Sequence, residues 1–397
     1  MSKTVVLGVT GGIAAYKALD LVSKLKKKNI DVHVIMTESA TKFVTPLSFQ
    51  SLSQNPVVVD MFAEPKTWEI QHISLADKAD VFAIVPATAN VIGKIANGIA
   101  DDMLTTTVMA TKAPVLIAPA MNVNMYENPI LQRNISILKQ YGYHIIEPIE
   151  GRLACGYVGK GKLAEVDVIV DYIDMLLCKN KDYAGKKVLV TAGPTVEDID
   201  PVRFISNHSS GKMGYSIARA ARNRGAEVIL ITGPTDIMPP VGVKVIKVKT
   251  AQEMYDEVMK YFPKVDIAIK AAAVADYRVE NVSNTKIKKS EDSFGIKLIK
   301  NKDILLEMGK TKTNQILVGF AAETNDLIQN AKLKLMNKNL DMIIANDITQ
   351  ENSGFNYDTN TVKIIKKDGQ LIQLPNMLKQ ELADIILNYI LEIKLKR

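Results

Sequence analysis

A histidine, an asparagine and a cysteine in the first half of the chain stand in settings that suit proton transfer and ligand binding. His72 lies in QHISLAD, Asn122 in PAMNVNMY and Cys155 in the glycine-rich stretch GRLACGYVGKGKLAE. An imidazole exchanges protons near neutral pH, and a thiol between small neighbours on a loop is accessible for reaction. Each residue alone also fits a structural role, as a capping or surface histidine, an Asx turn before a helix and an inert small side chain.

Small residues and hydroxyls at strand ends indicate a phosphate site in the same half. GVTGGIAAYK lacks the G-x-G-x-x-G spacing, and no acidic residue ends the second strand to hold a ribose. The pattern therefore suits a mononucleotide phosphate at a helix N-terminus better than a dinucleotide. A plain tight turn explains the first glycines equally well. The candidate positions are Gly11, Gly12, Thr37, Ala87, Thr88 and Asn90.

A long hydroxyl-rich connection, TAGPTVEDIDPVRFISNHSSGKMG, leads into a helix in the second half. Gly211 and Lys212 are followed by Met213. A P-loop needs Ser or Thr at that position, so a P-loop ATPase is excluded. The backbone amides of Ser209, Ser210 and Gly211 at the helix entry are still suited to binding phosphate.

One aspartate and several lysines follow the later strands. Asp276 ends AAAVAD, KIKK begins at Lys286, Phe320 lies in VGFAAET, and Lys334 and Lys338 are four residues apart. Each lysine alone is typical of a solvated helix face. Together with Asp276 they would surround a triphosphate at the carboxyl edge of a sheet.

A β-loop-α-β pattern that occurs twice would position these residues. It predicts an α/β protein with two doubly wound, Rossmann-like domains, with the boundary in the polar stretch 178–187. The domains are expected at 1–180 and 186–397. The first half contributes strands Lys3–Val9, Asp31–Met36, Val81–Pro86, Val115–Pro119 and Tyr143–Ile146, and helices Ile13–Lys28 and Val166–Leu177. The second contributes strands Lys187–Thr191, Glu227–Thr232, Val243–Val248, Ile267–Lys270, Ile316–Phe320 and Met342–Ala345, and helices Gly211–Arg224 and Asn376–Leu395.

Composition excludes several classes of protein. The 397 residues are 47% hydrophobic and 23% charged, with a net charge of +7, which excludes disordered, collagen-like and coiled-coil chains. We expect neither a membrane span nor a signal peptide, and no nucleic-acid partner, because the aromatic residues do not cluster with the lysines. Two cysteines cannot build a disulfide framework, and together with four histidines they are too few to make a structural zinc site expected. A cytoplasmic protein is therefore expected.

Taken together, these segments resemble the bifunctional phosphopantothenoylcysteine decarboxylase/phosphopantothenate–cysteine ligase family, and the first half is similar to flavin-dependent cysteine decarboxylases. The resemblance covers essentially the whole chain, with Tyr126 where the family often has tryptophan. It implies a flavodoxin-like FMN domain in which His72 is the base, Asn122 binds the substrate carboxylate and Cys155 donates a proton. The implied FMN contacts are Gly11, Gly12, Ile13, Thr37, Ala87, Thr88 and Asn90.

The substrate of such a decarboxylase explains the need for a flavin. Its carboxylate sits on a carbon with no adjacent carbonyl, so loss of carbon dioxide has no electron sink. Oxidising the neighbouring CH₂–SH to a thioaldehyde creates one, and the electrons and a proton return afterwards.

The same resemblance implies a C-terminal nucleotide-binding ligase domain that joins 4'-phosphopantothenate to cysteine through an acyl-cytidylate. It would use CTP with Mg²⁺ or Mn²⁺; Lys286 would stabilise charge at the α-phosphate, and Asn207 would serve the attack by cysteine. The residues themselves do not distinguish CTP from ATP and identify no metal ligands. The implied nucleotide contacts are Asp276, Lys286, Lys302, Asp303, Ile304, Leu305, Phe320, Lys334 and Lys338.

Three alternatives remain at this point. A catalytically inactive regulatory or binding protein on the flavoprotein scaffold would be expected to lack His72 or Cys155, and both are present. A nicotinamide reductase lacks its fingerprint here, and a flavin prenyltransferase would leave the second half without a role. The family also implies a homo-oligomer, with flavin-domain trimers and ligase-domain dimers combined into a dodecamer.

Overall fold

The computed structural model describes residues 3–62, 70–152, 156, 158–288, 295–323, 326–347, 354 and 357–395. The chain divides into two units, Met1–Lys179 and Asn180–Arg397. Each unit contains a largely parallel sheet covered by helices, so the predicted fold class of two doubly wound α/β halves is confirmed.

The first unit is built on a six-stranded parallel sheet with the strand order β3-β2-β1-β4-β5-β6. The order reverses between β1 and β4, which creates the crevice where open α/β sheets bind ligands. Alternate residues of β1 face opposite sides: Val5 and Leu7 pack in one core, Val6 in the other. The strands are β1 (Thr4–Val9), β2 (Asp31–Met36), β3 (Val57–Val58), β4 (Val81–Ala87), β5 (Val115–Pro119) and β6 (His144–Ile145).

Among the described residues, eight α-helices accompany this sheet. They are α1 (Lys17–Lys27), α2 (Pro46–Ser53), α3 (Gln71–Lys78), α4 (Ala89–Ala96), α5 (Met103–Ala110), α6 (Val123–Glu127), α7 (Pro129–Gln140) and α8 (Val166–Leu177). The predicted helix 13–28 is shorter than expected, because Ile13–Tyr16 forms a separate 3₁₀ turn. The predicted bounds of α8 are confirmed.

A β-hairpin occupies much of the stretch 151–165, which the sequence pattern suggested was a loop. Strands β7 (Ile149–Arg152) and β8 (Val158–Lys162) pair antiparallel. The prediction was wrong here because the strands, IEGR and VGKGK, carry no alternating apolar residues and include three glycines.

The second unit is built on an eight-stranded sheet with the order β13-β12-β9-β14-β17-β18-β20-β21. Its first six strands are parallel and the last two pair antiparallel at one edge. The order reverses between β9 and β14, so this unit has its own crevice. The strands are β9 (Lys187–Ala192), β12 (Glu227–Thr232), β13 (Lys244–Lys247), β14 (Ile267–Lys270), β17 (Ile316–Glu323), β18 (Met342–Asp347), β20 (Val362–Lys366) and β21 (Leu371–Gln373).

In the part of this unit that the structure describes, five helices and three two-stranded sheets complete the fold. The helices are α9 (Lys212–Asn223), α10 (Ala251–Tyr261), α11 (Ile304–Thr311), α12 (Leu327–Asn337) and α13 (Lys379–Leu395). The short strands are β10 (Val196–Asp198) with β11 (Phe204–Ser206), β15 (Tyr277–Val279) with β16 (Leu298–Lys300), and β19 (Thr359–Asn360) with β22 (Met377–Leu378). The closing helix therefore begins later than the predicted Asn376, because β22 precedes it.

No helix within the described ranges is long and apolar enough to cross a membrane.

Candidate active sites

The crevice of the first unit opens into a cavity of about 730 Å³. Thr10, which is buried, ties the ends of β1 and β4 together: its hydroxyl donates to the carbonyl of Pro86 at 2.7 Å and accepts from the amide of Thr88 at 3.0 Å. The lining includes four of the predicted phosphate-site residues, Gly11, Thr37, Thr88 and Asn90. A fifth, Ala87, is buried at the end of β4 and does not line this cavity.

Close backbone approach explains the glycine at position 11. A Cβ there would lie 2.4 Å from the Cβ of Ser39, so no side chain fits. The hydroxyl of Thr37 caps the following 3₁₀ turn by accepting from the amide of Ala40 at 3.3 Å. A cavity of this size, edged by backbone amides and hydroxyls, fits a phosphorylated mononucleotide.

A second cavity of about 440 Å³ adjoins the first and shares Gly11, Thr88, Ala89 and Met125 with it. Gly12, Ile13 and Asn122 line it, so the structure brings three more predicted residues to this edge. Three basic residues that the sequence argument did not select also line it: Lys17, Arg152 and Lys162. These charges suit an anionic substrate beside the mononucleotide.

Asn122 holds the N-terminus of α6. Its side-chain oxygen accepts from the amide of Asn124 at 2.8 Å, which is the Asx turn named as a structural role. The hairpin fixes this turn from the other side, since the amide of Met121 donates to the carbonyl of Gly161 at 3.0 Å. A Cβ on Gly161 would lie 2.4 Å from the Met121 carbonyl oxygen. The hairpin is therefore packed directly against the turn of Asn122.

The remaining two predicted residues of this half are placed differently. His72 is the second residue of α3, is half-buried and is not among the described residues that line either cavity. Cys155 lies outside the described residues.

The second unit has a cavity of about 360 Å³ at the carboxyl end of β14. It contains five of the predicted nucleotide residues, Asp276, Lys302, Asp303, Ile304 and Lys338. Leu305 is buried in the core beneath, and Lys334 is half-buried on α12.

Asp303 joins two elements at this cavity. It caps α11 by accepting from the amide of Leu306 at 3.0 Å, and it forms an ion pair of 2.7 Å with Lys338 at the end of α12. Burial opposes ionisation of Asp303, but the hydrogen bonds from Lys338 and Leu306 outweigh it and hold its pKa below the ordinary value.

An adjoining cavity of about 410 Å³ contains Asn207 and Phe320, together with the entry to α9. The Asn207 amide donates to the carbonyl of Val274 at 3.0 Å. Gly211, the residue before α9, has a φ of 78°, a left-handed conformation that favours glycine. The first three residues of α9 line the cavity, and the free amides of a helix N-terminus are suited to binding an anion.

Lys286 is exposed and does not line either cavity. Its neighbour Ile287 donates its amide to the carboxylate of Asp200 at 3.2 Å, and Asp200 also accepts from the amides of Val202 and Arg203 at 2.8 Å. The structure thus ties the KIKK segment to the β10–β11 turn rather than to Asp276.

Two lysines at the second unit's cavities were missed by the sequence argument. Lys270 ends β14 and lines both cavities. Lys379 is buried at the start of α13 and donates to the carbonyls of Gly354 and Tyr357. Burial, assisted by the charge of Lys212, lowers the pKa of Lys379 to about 8. The sequence feature that could have identified Lys270 is its position as a lysine directly after the apolar residues of a predicted strand.

Metal ligands do not cluster in the described part of the chain: no group of three or more His, Cys, Asp or Glu side chains there could hold an ion.

The chain is similar to known proteins over nearly its full length. The Flavoprotein family model matches residues 1–178, and the model of the DNA/pantothenate metabolism flavoprotein C-terminal domain matches residues 183–393. The coenzyme A biosynthesis bifunctional protein CoaBC of Bacillus subtilis (strain 168) is 51% identical over 392 residues, covering 98% of this chain and 97% of the relative.

Two solved structures are also similar. The C-terminal domain of a coenzyme A biosynthesis bifunctional protein CoaBC is 44% identical, with a TM-score of 0.48, and the match covers 55% of this chain and all of that one. A PPC decarboxylase mutant complexed with pantothenoylaminoethenethiol is 32% identical, with a TM-score of 0.40, covering 44% and 97% of the two chains.

Proposed function

The chain belongs to the family of bifunctional coenzyme A biosynthesis proteins, and we propose that residues 1–180 carry its phosphopantothenoylcysteine decarboxylase activity and residues 186–397 its phosphopantothenate–cysteine ligase activity. The observation that carries this division is the presence of two separate crevices, one at the strand-order reversal of each sheet. Cavities at both crevices gather residues of the kind each reaction needs.

FMN is the cofactor proposed for the first unit. The 730 Å³ cavity would hold it, with its phosphate near the backbone at Gly11 and the hydroxyls of Thr37 and Thr88. When bound there, FMN supplies a reversible two-electron acceptor for oxidising the substrate's CH₂–SH group. The lack of room at Gly11 and the hydroxyl-lined wall support this choice.

The adjoining 440 Å³ cavity is proposed to bind phosphopantothenoylcysteine. Asn122 would orient the carboxylate that is lost, while Arg152 and Lys17 would offset the negative charge of the substrate. His72 is proposed as the base and Cys155 as the proton donor, from their family motifs.

The second unit is proposed to use CTP and 4'-phosphopantothenate to form an acyl-cytidylate, which cysteine then attacks. The nucleotide would occupy the cavity of Asp276, Lys302 and Lys338, and the acyl substrate the cavity at the entry to α9. Asn207 would orient cysteine, and Lys286 would stabilise charge at the α-phosphate. Mg²⁺ would arrive with the nucleotide, held mainly by its phosphates, in keeping with the lack of an acidic cage among the described residues.

A cytoplasmic homo-oligomer is proposed as the assembled state. Ile13, Tyr16 and Met125 line the 440 Å³ cavity yet are 60%, 57% and 49% exposed, an apolar rim that another copy of the chain would cover. Light scattering of the purified chain would measure the mass directly. A monomer would rule this proposal out.

The division of labour is tested on the full-length chain with two variants. Asn122→Ala should abolish release of carbon dioxide from supplied phosphopantothenoylcysteine but leave CTP-dependent ligation intact. Asn207→Ala should do the opposite. If either variant loses both activities while remaining folded, the two crevices do not act separately; if wild type shows neither activity, the chain is an inactive scaffold.

A further inference from the structure

Lys270 occupies the junction between the two cavities of the second unit. It is the last residue of β14, the strand beside the order reversal, and it pairs with Thr191 of β9 and Gly319 of β17. It lines both the cavity of Asp276 and the cavity of Asn207. Parallel sheets bind ligands at such positions.

The ammonium of Lys270 is not committed to a structural partner. It makes no hydrogen bond and no ion pair with any residue that the structure describes. Lys338, by contrast, is paired with Asp303, and Lys379 donates to two carbonyls. Lys270 is a partly buried cation that faces two ligand cavities and has no fixed partner. Such a cation is suited to binding an anionic group of a ligand.

The chemistry at this junction brings two anions together. This inference rests on the proposed function, in which the acyl carboxylate must reach the α-phosphorus of the nucleotide. A carboxylate oxygen forms a bond to phosphorus, the bond to the bridging pyrophosphate oxygen breaks, and pyrophosphate leaves with the bonding electrons. No proton moves in this step, so the contribution required of the protein is positive charge.

We propose that the ammonium of Lys270 binds the carboxylate of the acyl substrate where it meets the α-phosphate, and so promotes formation of the acyl-nucleotide. Lys270 is then a catalytic residue of the first half-reaction, and it determines binding of the acyl substrate more than of the nucleotide. The attack by cysteine does not depend on it.

The surroundings of Lys270 make this role sensitive to pH. Burial lowers its pKa to about 8, and the like charge of Lys338 adds to the shift, opposed by Asp303 and Asp276. A bound anion favours the charged form. The charge of Lys334 also lowers the pKa of Lys270. The other charged or titratable groups near it line the two cavities: His208, Lys212, Asp276, Tyr277, Lys300, Lys302, Asp303, Lys338 and Lys379.

The test compares full-length wild type with Lys270→Met and Lys270→Arg, measuring pyrophosphate release from CTP and 4'-phosphopantothenate. Lys270→Met should lower kcat/KM for phosphopantothenate by about 10²-fold and change the KM for CTP much less. Lys270→Arg should recover most of this loss. Lys264→Met changes an exposed lysine in the 3₁₀ turn that precedes β14; it is the matched control and should behave as wild type.

The pH profile provides a readout that a merely structural role would not move. In wild type, kcat/KM for phosphopantothenate should fall as pH rises through about 8, because the free enzyme then loses the ammonium of Lys270. The decline should be absent in Lys270→Met and displaced to higher pH in Lys270→Arg.

The inference alone would be overturned if Lys270→Met released pyrophosphate at the wild-type rate, or if its kcat/KM fell equally for phosphopantothenate and CTP. It would also be overturned if Lys270→Met kept the wild-type pH profile, or if this variant formed the acyl-nucleotide normally but failed to react it with cysteine. Retained binding of CTP by Lys270→Met would show that the second unit is folded. A wild type that releases no pyrophosphate would overturn the proposed function together with the inference.

Discussion

The phenol of Tyr126 donates a hydrogen bond of 2.5 Å to the carboxylate of Glu147, which also accepts from Lys139 at 2.9 Å and Lys160 at 3.0 Å. Tyr126 belongs to α6 and Lys160 to β8. The carboxylate therefore connects the helix that follows Asn122 to the hairpin that packs against it.

Acid should weaken this connection. Burial opposes ionisation of Glu147, but hydrogen bonds from Tyr126, Lys139 and Lys160 outweigh it and lower its pKa from 4.5 to about 2. A carboxyl group whose pKa is lowered by folding stabilises the folded state at any pH above its pKa in the unfolded chain. For Glu147 this contribution is lost as pH falls from about 4.5 towards 2. Since 47% of the side chain is exposed, solvent screening limits the effect to ~1 kcal/mol.

Urea unfolding at several pH values measures this contribution. Glu147→Gln should be less stable than wild type at pH 7 and should lose less stability on acidification. Glu150→Gln, an exposed neighbour, is the control and should follow wild type. Parallel curves for wild type and Glu147→Gln would contradict the assignment.

A methyl group at position 161 should separate the two activities. Gly161→Ala would place its Cβ 2.4 Å from the carbonyl oxygen of Met121, displacing the turn of Asn122. A displacement of about 1 Å costs ~10²-fold in rate, so decarboxylation should fall by that order while ligation continues. Gly151→Ala, whose Cβ would meet only the flexible Lys162 side chain at 3.4 Å, should retain both activities.

Flavin retention should depend on the close approach at position 11. Gly11→Ala forces its Cβ against Ser39, which should cost ~1–3 kcal/mol of stability and deplete FMN from the purified protein. Gly93→Ala, whose Cβ would lie 3.7 Å from the Asn134 side-chain nitrogen, is the matched helical control. The absorbance ratio of flavin to protein measures the outcome, and equal flavin in both variants would be incompatible with a phosphate site at Gly11.

Nucleotide affinity should depend on the end of α12. Removing the charge in Lys338→Met should raise the KM for CTP by about tenfold or more, as loss of a hydrogen bond to a charged group costs ~1.5–3 kcal/mol. The uncompensated Asp303 carboxylate, which Lys338 pairs at 2.7 Å, adds repulsion. Lys332→Met changes an exposed lysine on the same helix and should leave the KM unchanged.

The two halves of the ligase reaction should fail separately. Lys286→Gln should prevent formation of the acyl-cytidylate, with a loss of ~10²–10³ in rate. Asn207→Asp should still release pyrophosphate, and the mixed anhydride should accumulate and be visible by mass spectrometry. Lys288→Gln, in the same exposed segment, is the control. Normal ligation by Lys286→Gln would identify KIKK as a solvated lysine run.

Strands buried on both faces were predictable from the sequence. The predicted bounds of β2, β5, β12 and β14 are confirmed residue for residue. The apolar stretches of β5, β12 and β14 are buried, as expected of strands covered on both sides, whereas β2 alternates polar and apolar residues at its start. Short polar strands carry no such signal, which explains the missed hairpin beside Asn122.

Side-chain partners far apart in the chain were not predictable. The resemblance implies that Lys338 contacts the nucleotide, but its ion pair with Asp303 depends on where α11 begins and α12 ends. The sequence identifies Lys270 only as the last residue of a strand, because nothing in the neighbouring residues shows that two cavities meet there.

The strands at the margins of both sheets are short, and this bears on solubility at high concentration. β3 and β6 have two residues each, β21 has three, and β13 has four with lysine at both ends. Such margins offer few unpaired amide and carbonyl groups in a row, and lysine opposes the approach of another strand. The chain should therefore resist edge-to-edge aggregation into fibrils while it stays folded.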